Sequence, residues 1–144
     1  MNRAEISAEI ADLMATVSRR IRIDANRDLG PLGVTWAQVR ALRTLARADG
    51  PVRMSDLAAR LDIARRSATS VVDELVGRGL VERRDDPADR RAVAVVVTQH
   101  GVRLLDKLRA RRRAAASALT AGLSISELTT LHDLLARLGA RDGG

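Results

Sequence analysis

The spacing of apolar residues predicts that most of this chain is helical. Across residues 4–28, apolar side chains recur at steps of four and three, which places them on one face of an amphipathic helix. This stripe consists of Ile6, Ile10, Leu13, Val17 and Ile21. The sequence "DLGPLGV" at residues 28–34 contains two glycines and a proline, and it predicts the end of this helix.

A second helix is predicted over residues 35–48. Thr35 and Gln38 have the spacing of a capping box, in which each side chain accepts a hydrogen bond from the other residue's backbone amide. Val34 and Val39 occupy the positions of a hydrophobic staple, in which two apolar side chains pack across the first turn. Two independent signals therefore mark this helix start.

The middle of the chain carries shorter elements. An extended segment at residues 52–54 is followed by a two-turn helix at 56–62, which Ser55 is expected to cap. After a turn at Ile63–Ala64, another helix spans residues 65–77 and ends at glycines. A short helix, a tight turn and a second helix with polar residues at its N-terminal end are the arrangement of a helix-turn-helix motif.

The stretch "VERRDDPADRRAVAVVVTQHG", residues 81–101, predicts a β-hairpin. Strands at 80–84 and 91–97 flank a loop at 85–90, whose proline and aspartates favour a turn. Valines at alternate positions of the second strand share one face. The loop is longer than a two-residue turn, so we expect it to project outward. Because the hairpin directly follows the helix-turn-helix, the predicted fold is mainly α with a small β-hairpin wing.

Two helices complete the predicted fold, one from Thr98 to about residue 120 and one that begins at Ser124. Ser124 and Glu127 form a second capping box. Leucines then alternate at steps of three and four, as in the seam of a coiled coil. They are Leu128, Leu131, Leu135 and Leu138.

Composition removes several classes of function. The chain has one Trp and no Phe or Tyr, so its core must be aliphatic and it lacks the aromatic platforms that stack on single-stranded nucleic acid. It has no Cys, which excludes disulfides and zinc–thiolate sites. Because no nucleophile elbow, phosphate loop, zinc motif or paired-carboxylate arrangement appears, we expect no catalytic activity, no cofactor and no metal site.

The sequence lacks the apolar segments that direct proteins into or across membranes. The N-terminal residues "MNRAEISAEIADLMA" interrupt their apolar pattern with acids, which argues against a signal peptide. No run of about 18 apolar residues is present. We therefore expect a cytoplasmic protein without a membrane partner.

The net charge of +7 favours a nucleic-acid partner, although an arginine bias can also reflect a GC-rich genome. Lys107 is the only lysine. From Arg53 to Arg91, however, nine arginines face eight acids, so this region is nearly neutral in sum. DNA binding there requires the acidic side chains to point away from the duplex.

Residues 57–101, "LAARLDIARRSATSVVDELVGRGLVERRDDPADRRAVAVVVTQHG", resemble the winged helix of the MarR family of bacterial transcriptional regulators. The shared pattern includes L-A-x-x-L at Leu57, V-D-x-L-x-x-x-G-L at Val72, and D-x-R-x-x-x-V-x-V-T-x-x-G from Asp89 to Gly101. "TWAQVRAL" is similar to the helix start of the family. The resemblance is good over residues 35–105, and the flanking helices match in layout only.

The resemblance implies a homodimer that reads a pseudo-palindromic duplex. It divides the chain into a winged helix-turn-helix region at 33–98 and a helical dimerisation region at 1–32 and 99–144, within one compact domain. Many family members release DNA when a small phenolic or lipophilic ligand binds between these regions. The chain departs from the family at Ala64, where Ser or Thr usually caps the recognition helix and Asp62 is the alternative cap. It also departs at Ser70, where Arg is frequent.

These considerations predict the residues that contact DNA. Side chains on the first turns of the recognition helix can reach base edges or phosphates, and we expect two or three of its five polar residues to do so. Ser55 is expected to meet a phosphate, whereas Arg53 and Arg83 are either phosphate contacts or plain surface charges. The predicted DNA-binding set is Ser55, Arg65, Arg66, Ser67, Thr69, Ser70, Arg84 and Arg90.

The wing arginines and the single tryptophan receive separate predictions. Arg90 is expected to enter the minor groove, while Asp89 and Arg91 brace the wing through a salt bridge, as the resemblance implies. Trp36 is either a packing residue or the wall of an effector pocket, with Arg20 or Arg43 holding a ligand carboxylate. Two other functions stay open: a winged helix that contacts proteins, and non-specific DNA compaction.

Overall fold

Six helices and a three-stranded antiparallel sheet make up the computed structural model, which describes residues 1–140, with only the backbone described at Asp28. In chain order the elements are α1 (Arg3–Leu32), α2 (Trp36–Ala46), β1 (Val52–Arg53), α3 (Met54–Leu61), α4 (Arg65–Gly77), β2 (Val81–Asp85), β3 (Val93–Val97), α5 (Gln99–Thr120) and α6 (Ile125–Gly139). The predicted fold class, mainly α with a hairpin wing, is confirmed.

The helix starts follow the local capping signals. Both predicted capping boxes form, one from Thr35 to Gln38 and one from Ser124 to Glu127. The hydroxyl of Thr98 caps α5 by accepting a hydrogen bond from the amide of Gly101 at 3.1 Å. A side-chain acceptor satisfies an amide that has no partner within the helix, so these residues determine where each helix begins.

The first helix ends within the predicted stretch 28–34, although later than residue 28. Helix α1 continues through Gly30 and Pro31 to Leu32. It ends at Gly33, which adopts a left-handed conformation with φ of 67° and donates its amide to carbonyls of the preceding turn. Pro31 lies in the last turn and removes one amide donor, yet the helix continues past it, and the left-handed Gly33 determines where it ends.

A side chain from another part of the chain also binds the C-terminus of α1. Arg78, the residue after α4, donates a hydrogen bond from Nη2 to the carbonyl of Leu32 at 3.0 Å and another from Nη1 to the carbonyl of Gly33. A cation at a helix C-terminus is favourable because the last carbonyls carry partial negative charge. These contacts attach the end of α1 to the end of α4.

The sheet contains a strand whose pairing was not predicted. Its order is β1-β3-β2, and both outer strands run antiparallel to β3. The segment at 52–54 was expected to be extended, but its pairing with the wing comes from contacts distant in sequence.

Because Arg53 belongs to β1 and also precedes the first residue of α3, the chain passes directly from strand into helix. The expectation that Ser55 caps this helix is therefore wrong: Ser55 lies within its first turn, and no side chain caps it.

An aliphatic core fills the space between α2, α3, α4 and the sheet, as the composition predicts. Its largest fully buried side chains are Leu42, Leu57, Leu75, Leu80, Val39, Val72, Val81 and Val95. Burial of each contributes about 1.5–3 kcal/mol relative to exposure. Helix α6, in contrast, contains no buried residue. Within residues 1–140, no helix is long and apolar enough to cross a membrane.

The start of α5 packs unusually close to the turn after α4. The hydroxyl of Thr98 donates to the carbonyl of Gly79 at 2.6 Å, and the Thr98 amide donates to the carbonyl of Leu80 at 3.1 Å. One turn further, a Cβ added at Gly101 would collide with the Leu80 carbonyl oxygen and lie 2.7 Å from Cγ1 of Val97. Only glycine allows this approach of helix to backbone.

The substitution Gly101→Ala is expected to lower the free energy of unfolding by about 1–3 kcal/mol, because the new methyl group must displace backbone atoms. Gly77→Ala is the matched control, since a Cβ at Gly77 meets no atom within 4 Å. The control should be neutral or slightly stabilising. Urea unfolding followed by circular dichroism measures both. Equal midpoints for Gly101→Ala and the unsubstituted protein would contradict the close approach.

Candidate nucleic-acid interface

Helices α3 and α4 form the helix-turn-helix. Helix α3 ends at Asp62, which adopts a left-handed conformation with φ of 53° and lets the chain turn sharply. Three buried residues of α4, Ala68, Val72 and Leu75, hold its inner face against the core. Its predicted contact residues are all exposed: Arg65, Arg66, Ser67, Thr69 and Ser70.

The N-terminal turn of α4 has no side-chain cap. Its N-cap residue is Ala64, as the sequence indicates, and the alternative in which Asp62 caps the helix is wrong because Asp62 terminates α3. The first amides of a helix have no partner within that helix. Left uncapped and exposed, the amides of this turn are available to a phosphate oxygen, which the helix dipole also attracts.

The polar side chains of α4 differ in whether they form hydrogen bonds or ion pairs within the protein. The hydroxyls of Thr69 and Ser70 donate to the carbonyls of Arg65 and Arg66, at 3.0 and 3.2 Å. The two hydroxyl oxygens can still accept hydrogen bonds from a donor outside the protein. The guanidinium groups of Arg65 and Arg66 form no ion pair within residues 1–140. Ser55 is exposed in the first turn of α3, immediately before this surface.

The wing consists of β2, β3 and the loop 86–92. Arg90 is exposed in this loop and forms no ion pair with any described residue. The predicted salt bridge between Asp89 and Arg91 is not what holds the loop. Instead, the Asp89 carboxylate accepts the backbone amide of Arg91 at 3.0 Å, and the Asp89 carbonyl accepts the amide of Ala92 at 3.0 Å. Because an aspartate readily bonds the amide two residues ahead, it folds the turn without the guanidinium.

An ion pair that was not predicted from the sequence, between Arg53 and Asp86, connects the wing to β1. The Asp86 carboxylate accepts one hydrogen bond from the Ala88 amide at 2.8 Å and one from Nε of Arg53. The Ala88 amide and the Arg53 guanidinium lower the pKa of Asp86 below its ordinary value. Asp86 is only 8% exposed. Arg53 therefore has a structural partner, which weakens its candidacy as a phosphate contact.

The other two phosphate candidates on the wing also have acidic partners. Arg83 pairs with Asp73 on α4, and Arg84 pairs with Glu82 at 2.7 Å on its own strand. Both pairs are exposed, so each contributes little to stability and can open. On the inner side of α4, Glu74 accepts a hydrogen bond from Nε2 of Gln38 at 2.6 Å.

These pairs show which charges of the near-neutral region have partners within it. Several of its acids are held by internal partners, whereas cations on α4 and the wing are left without one. Within the part of the chain that the structure describes, the guanidinium groups of Arg65, Arg66, Arg90 and Arg91 form no ion pair. The start of α4 and the wing loop therefore present arginines without an ion pair. Acids elsewhere in the region that also lack one among the described residues, such as Asp56, Asp62 and Asp85, keep its total charge near neutral.

A cavity of about 610 Å³ lies between α1, α2 and α5. Leu29, Val39 and Leu108 contribute to its apolar wall. Trp36 and Arg43 also line it, and the guanidinium carbon of Arg43 lies 5.6 Å from the centroid of the Trp36 ring. This distance is within the range of a cation–π interaction.

The cavity wall carries excess positive charge. Burial lowers the pKa of the Arg43 guanidinium, and the nearby charges of Arg112, Arg47 and Arg109 lower it further. Like charges held together in this way are unfavourable until an anion joins them. Arg20, the alternative partner for a ligand, is not part of this wall, because its neighbour Ile21 occupies the cavity side of α1. In the described residues, no group of three or more His, Asp or Glu is placed to hold a metal ion.

Comparisons with known proteins agree with this arrangement. Residues 32–92 match the family model for the MarR family. A protein of Thauera aromatica, named as a candidate transcriptional regulatory protein for the hcr operon, is 34% identical over 76% of this chain and 66% of its own length. The transcriptional repressor MprA of Escherichia coli K12 is 29% identical over 81% of this chain and 66% of its own length.

The chain thus spans just under two thirds of the length of both relatives. Among solved structures, the apo form of wild-type MarR from Escherichia coli matches with a TM-score of 0.77 at 28% identity, over 89% of this chain and 94% of that one. The helix-turn-helix with its wing, the family match across it and these similarities show that the chain belongs to the MarR family of winged helix-turn-helix transcriptional regulators.

Proposed function

We propose that this protein is a sequence-specific DNA-binding repressor that acts as a homodimer on a pseudo-palindromic duplex in the cytoplasm. The observation that carries the proposal is the set of exposed arginines on α4 and in the wing loop that have no ion pair among the described residues. Asp73, Glu82 and Asp86 are engaged by neighbouring arginines, while arginines at the start of α4 and in the wing loop form no ion pair within residues 1–140. A surface that leaves cations unpaired is suited to a polyanion.

In this proposal α4 enters the major groove with its N-terminus first, as recognition helices do. Arg65 and Arg66 reach phosphates or guanine edges, and the uncapped amides of the first turn bind a phosphate. Ser55, Ser67, Thr69 and Ser70 supply shorter polar contacts. The wing follows the backbone, with Arg90 in the minor groove and Arg84 at a phosphate once its exposed pair with Glu82 opens.

Selection of bound fragments from random duplex DNA at near-physiological salt should yield an inverted repeat with half-sites about one helical turn apart. On the selected duplex, Arg90→Ala should weaken binding by about 1–3 kcal/mol without changing Tm, because Arg90 has no partner within the described residues. Arg137→Ala is the control, since it removes the same charge from the exposed surface of α6.

Three outcomes would contradict this proposal. Binding without sequence enrichment would favour DNA compaction. The absence of binding to any duplex would favour a winged helix that contacts proteins. An affinity that does not fall as salt rises would exclude a phosphate-based interface.

We further propose that residues 1–32 and 99–144 form the dimerisation region, and residues 33–98 the DNA-binding region. The support is the apolar surface that the single chain leaves uncovered. Helix α6 has no buried residue although its leucines repeat at steps of three and four. Large exposed apolar surfaces mark interaction sites, and a second copy is the proposed occupant. The exposed apolar residues of α1 and α6 include Ile6, Ile10, Leu13, Met14, Val17, Leu131, Leu134, Leu135 and Leu138.

Leu135→Glu is expected to convert the dimer into a monomer, because a carboxylate would be buried without a partner in the interface. Ser126→Glu introduces the same group on the opposite side of α6, nine residues away, and should leave the dimer intact. Sedimentation equilibrium of both variants measures the change. A monomeric unsubstituted protein, or a Leu135→Glu dimer of unchanged affinity, would contradict the proposal.

We also propose that the cavity between α1, α2 and α5 binds a lipophilic or aromatic effector with an acidic group, whose binding releases DNA. The apolar wall suits the body of such a ligand. Arg43, which is partly buried and lies near other arginines, suits its carboxylate. Trp36 offers a flat surface beside that cation. The position of the cavity between the two proposed regions supports a regulatory role.

Trp36 is the only aromatic residue, so its fluorescence reports on this cavity alone. Salicylate, a phenolic carboxylate, should change that fluorescence saturably and lower affinity for the selected duplex. Arg43→Gln should abolish both effects, and Arg20→Gln should preserve them because Arg20 lies outside the cavity wall. Phenol, which lacks the carboxylate, should bind more weakly. Equal responses in the two variants would exclude Arg43 as the anchor.

A further inference from the structure

The wing is attached to the helix-turn-helix by a polar link that crosses the sheet. In the order β1-β3-β2, the central strand separates Arg53 on β1 from the loop that carries Asp86. Arg53 nevertheless reaches Asp86, and its Nε donates to the carboxylate. The side chain of Arg53 must therefore pass across β3.

The position at which it crosses is Ala94. Arg53 and Arg84 are both paired with Ala94 in the sheet register. Residues paired across antiparallel strands project from the same face. Ala94 faces away from its neighbour Val95, which packs into the apolar core. Even so, Ala94 is only 1% exposed. The path of the Arg53 side chain over this position is consistent with the burial of Ala94, whose small side chain leaves room on that face.

Asp86 also forms hydrogen bonds within the wing loop, so the contact with Arg53 is connected to the structure of that loop. One carboxylate oxygen binds the Ala88 amide, and the other binds Arg53. The backbone amide of Asp86 donates to the carbonyl of Ala92 at 3.2 Å, which closes the base of the loop. At the other end, Arg53 is the residue from which α3 begins. One side-chain contact thus connects the base of the wing with the first turn of the helix-turn-helix.

We propose that Arg53 and Asp86 are positioning residues that fix the wing relative to the helix-turn-helix, and so place Arg90 at a defined distance from α4. The role in DNA recognition rests on the proposed function. The role of the link in holding the wing loop in place does not rest on the proposed function, and it can be measured without DNA.

The other ion pairs of the wing are less suited to this role. Arg83 and Asp73 connect β2 with α4, and the two arginines are similarly exposed, but the Asp73 side chain is 60% exposed whereas that of Asp86 is 10% exposed. A solvent-exposed carboxylate exchanges its partner for water more readily. Arg84 and Glu82 lie two residues apart on one strand, so their pair joins no separate elements. Arg84→Gln therefore removes a wing arginine and an ion pair without touching the link, which makes it the matched control for Arg53→Gln.

Amide hydrogen exchange of the full chain without DNA tests the mechanical role. Arg53→Gln is expected to raise exchange of the loop 86–92 by about tenfold, the effect of losing one charge-assisted hydrogen bond. Asp86→Asn should do the same while its side-chain oxygen still accepts the Ala88 amide. Arg84→Gln should leave the loop unchanged, and α4 should keep its protection in all three variants. Unchanged exchange of the loop in Arg53→Gln would overturn the proposal.

A double-mutant cycle on the selected duplex tests the consequence for Arg90. If the link positions Arg90, the loss of affinity on Arg90→Ala should be smaller in the Arg53→Gln background, because an unanchored wing already places Arg90 poorly. Equal losses in both backgrounds would mean that Arg53 acts as an independent phosphate contact, and would overturn the positioning role. If the unsubstituted protein binds no duplex, the proposed function fails, and the exchange measurement still decides whether the link holds the wing.

Discussion

The close approach of α5 to the turn after α4 is the contact on which the rest of the structure depends. At Gly101 a helix rests directly on the backbone of Leu80, and Thr98 fastens the same turn through its hydroxyl and its amide. The end of α4, the start of β2, the end of β3 and the start of α5 meet there. Because all four are fixed at one point, the wing and the recognition helix take their orientation from α5, the longest helix of the C-terminal half.

In the winged region, the positions of the ion pairs say more about binding than the net charge does. Arginines and acids between Arg53 and Arg91 nearly cancel, which argues against a simple basic patch. Acids such as Asp86 and Asp73 nevertheless serve as anchors for arginines, whereas arginines at the start of α4 and in the wing loop form no ion pair within residues 1–140. A sum over the sequence cannot distinguish an acid that faces a ligand from one that holds a neighbour.

The features that could be predicted from the sequence depend on residues close together in the chain. A capping box joins residues three positions apart, and an apolar stripe repeats every three or four, so Thr35, Gln38 and Ser124 could be assigned correctly. Trp36 and Arg43, seven residues apart on one helix face, could be placed in the same wall. The pairing of β1 with β3 and the contact of Arg53 with Asp86 join residues more than thirty positions apart, and neither leaves a local signal. The same distance explains the error at Ser55, since strand pairing fixed where α3 begins.

The two hydrogen bonds from Arg78 to the last carbonyls of α1 have a geometric consequence. They connect the end of α4 directly with the end of α1. In the proposed dimer, α1 carries much of the subunit interface, so this contact gives a direct connection between that interface and the end of α4. In such a dimer, the distance between the two copies of α4 would depend on the angle between the subunits, and Arg78 would be one of the residues through which that angle acts.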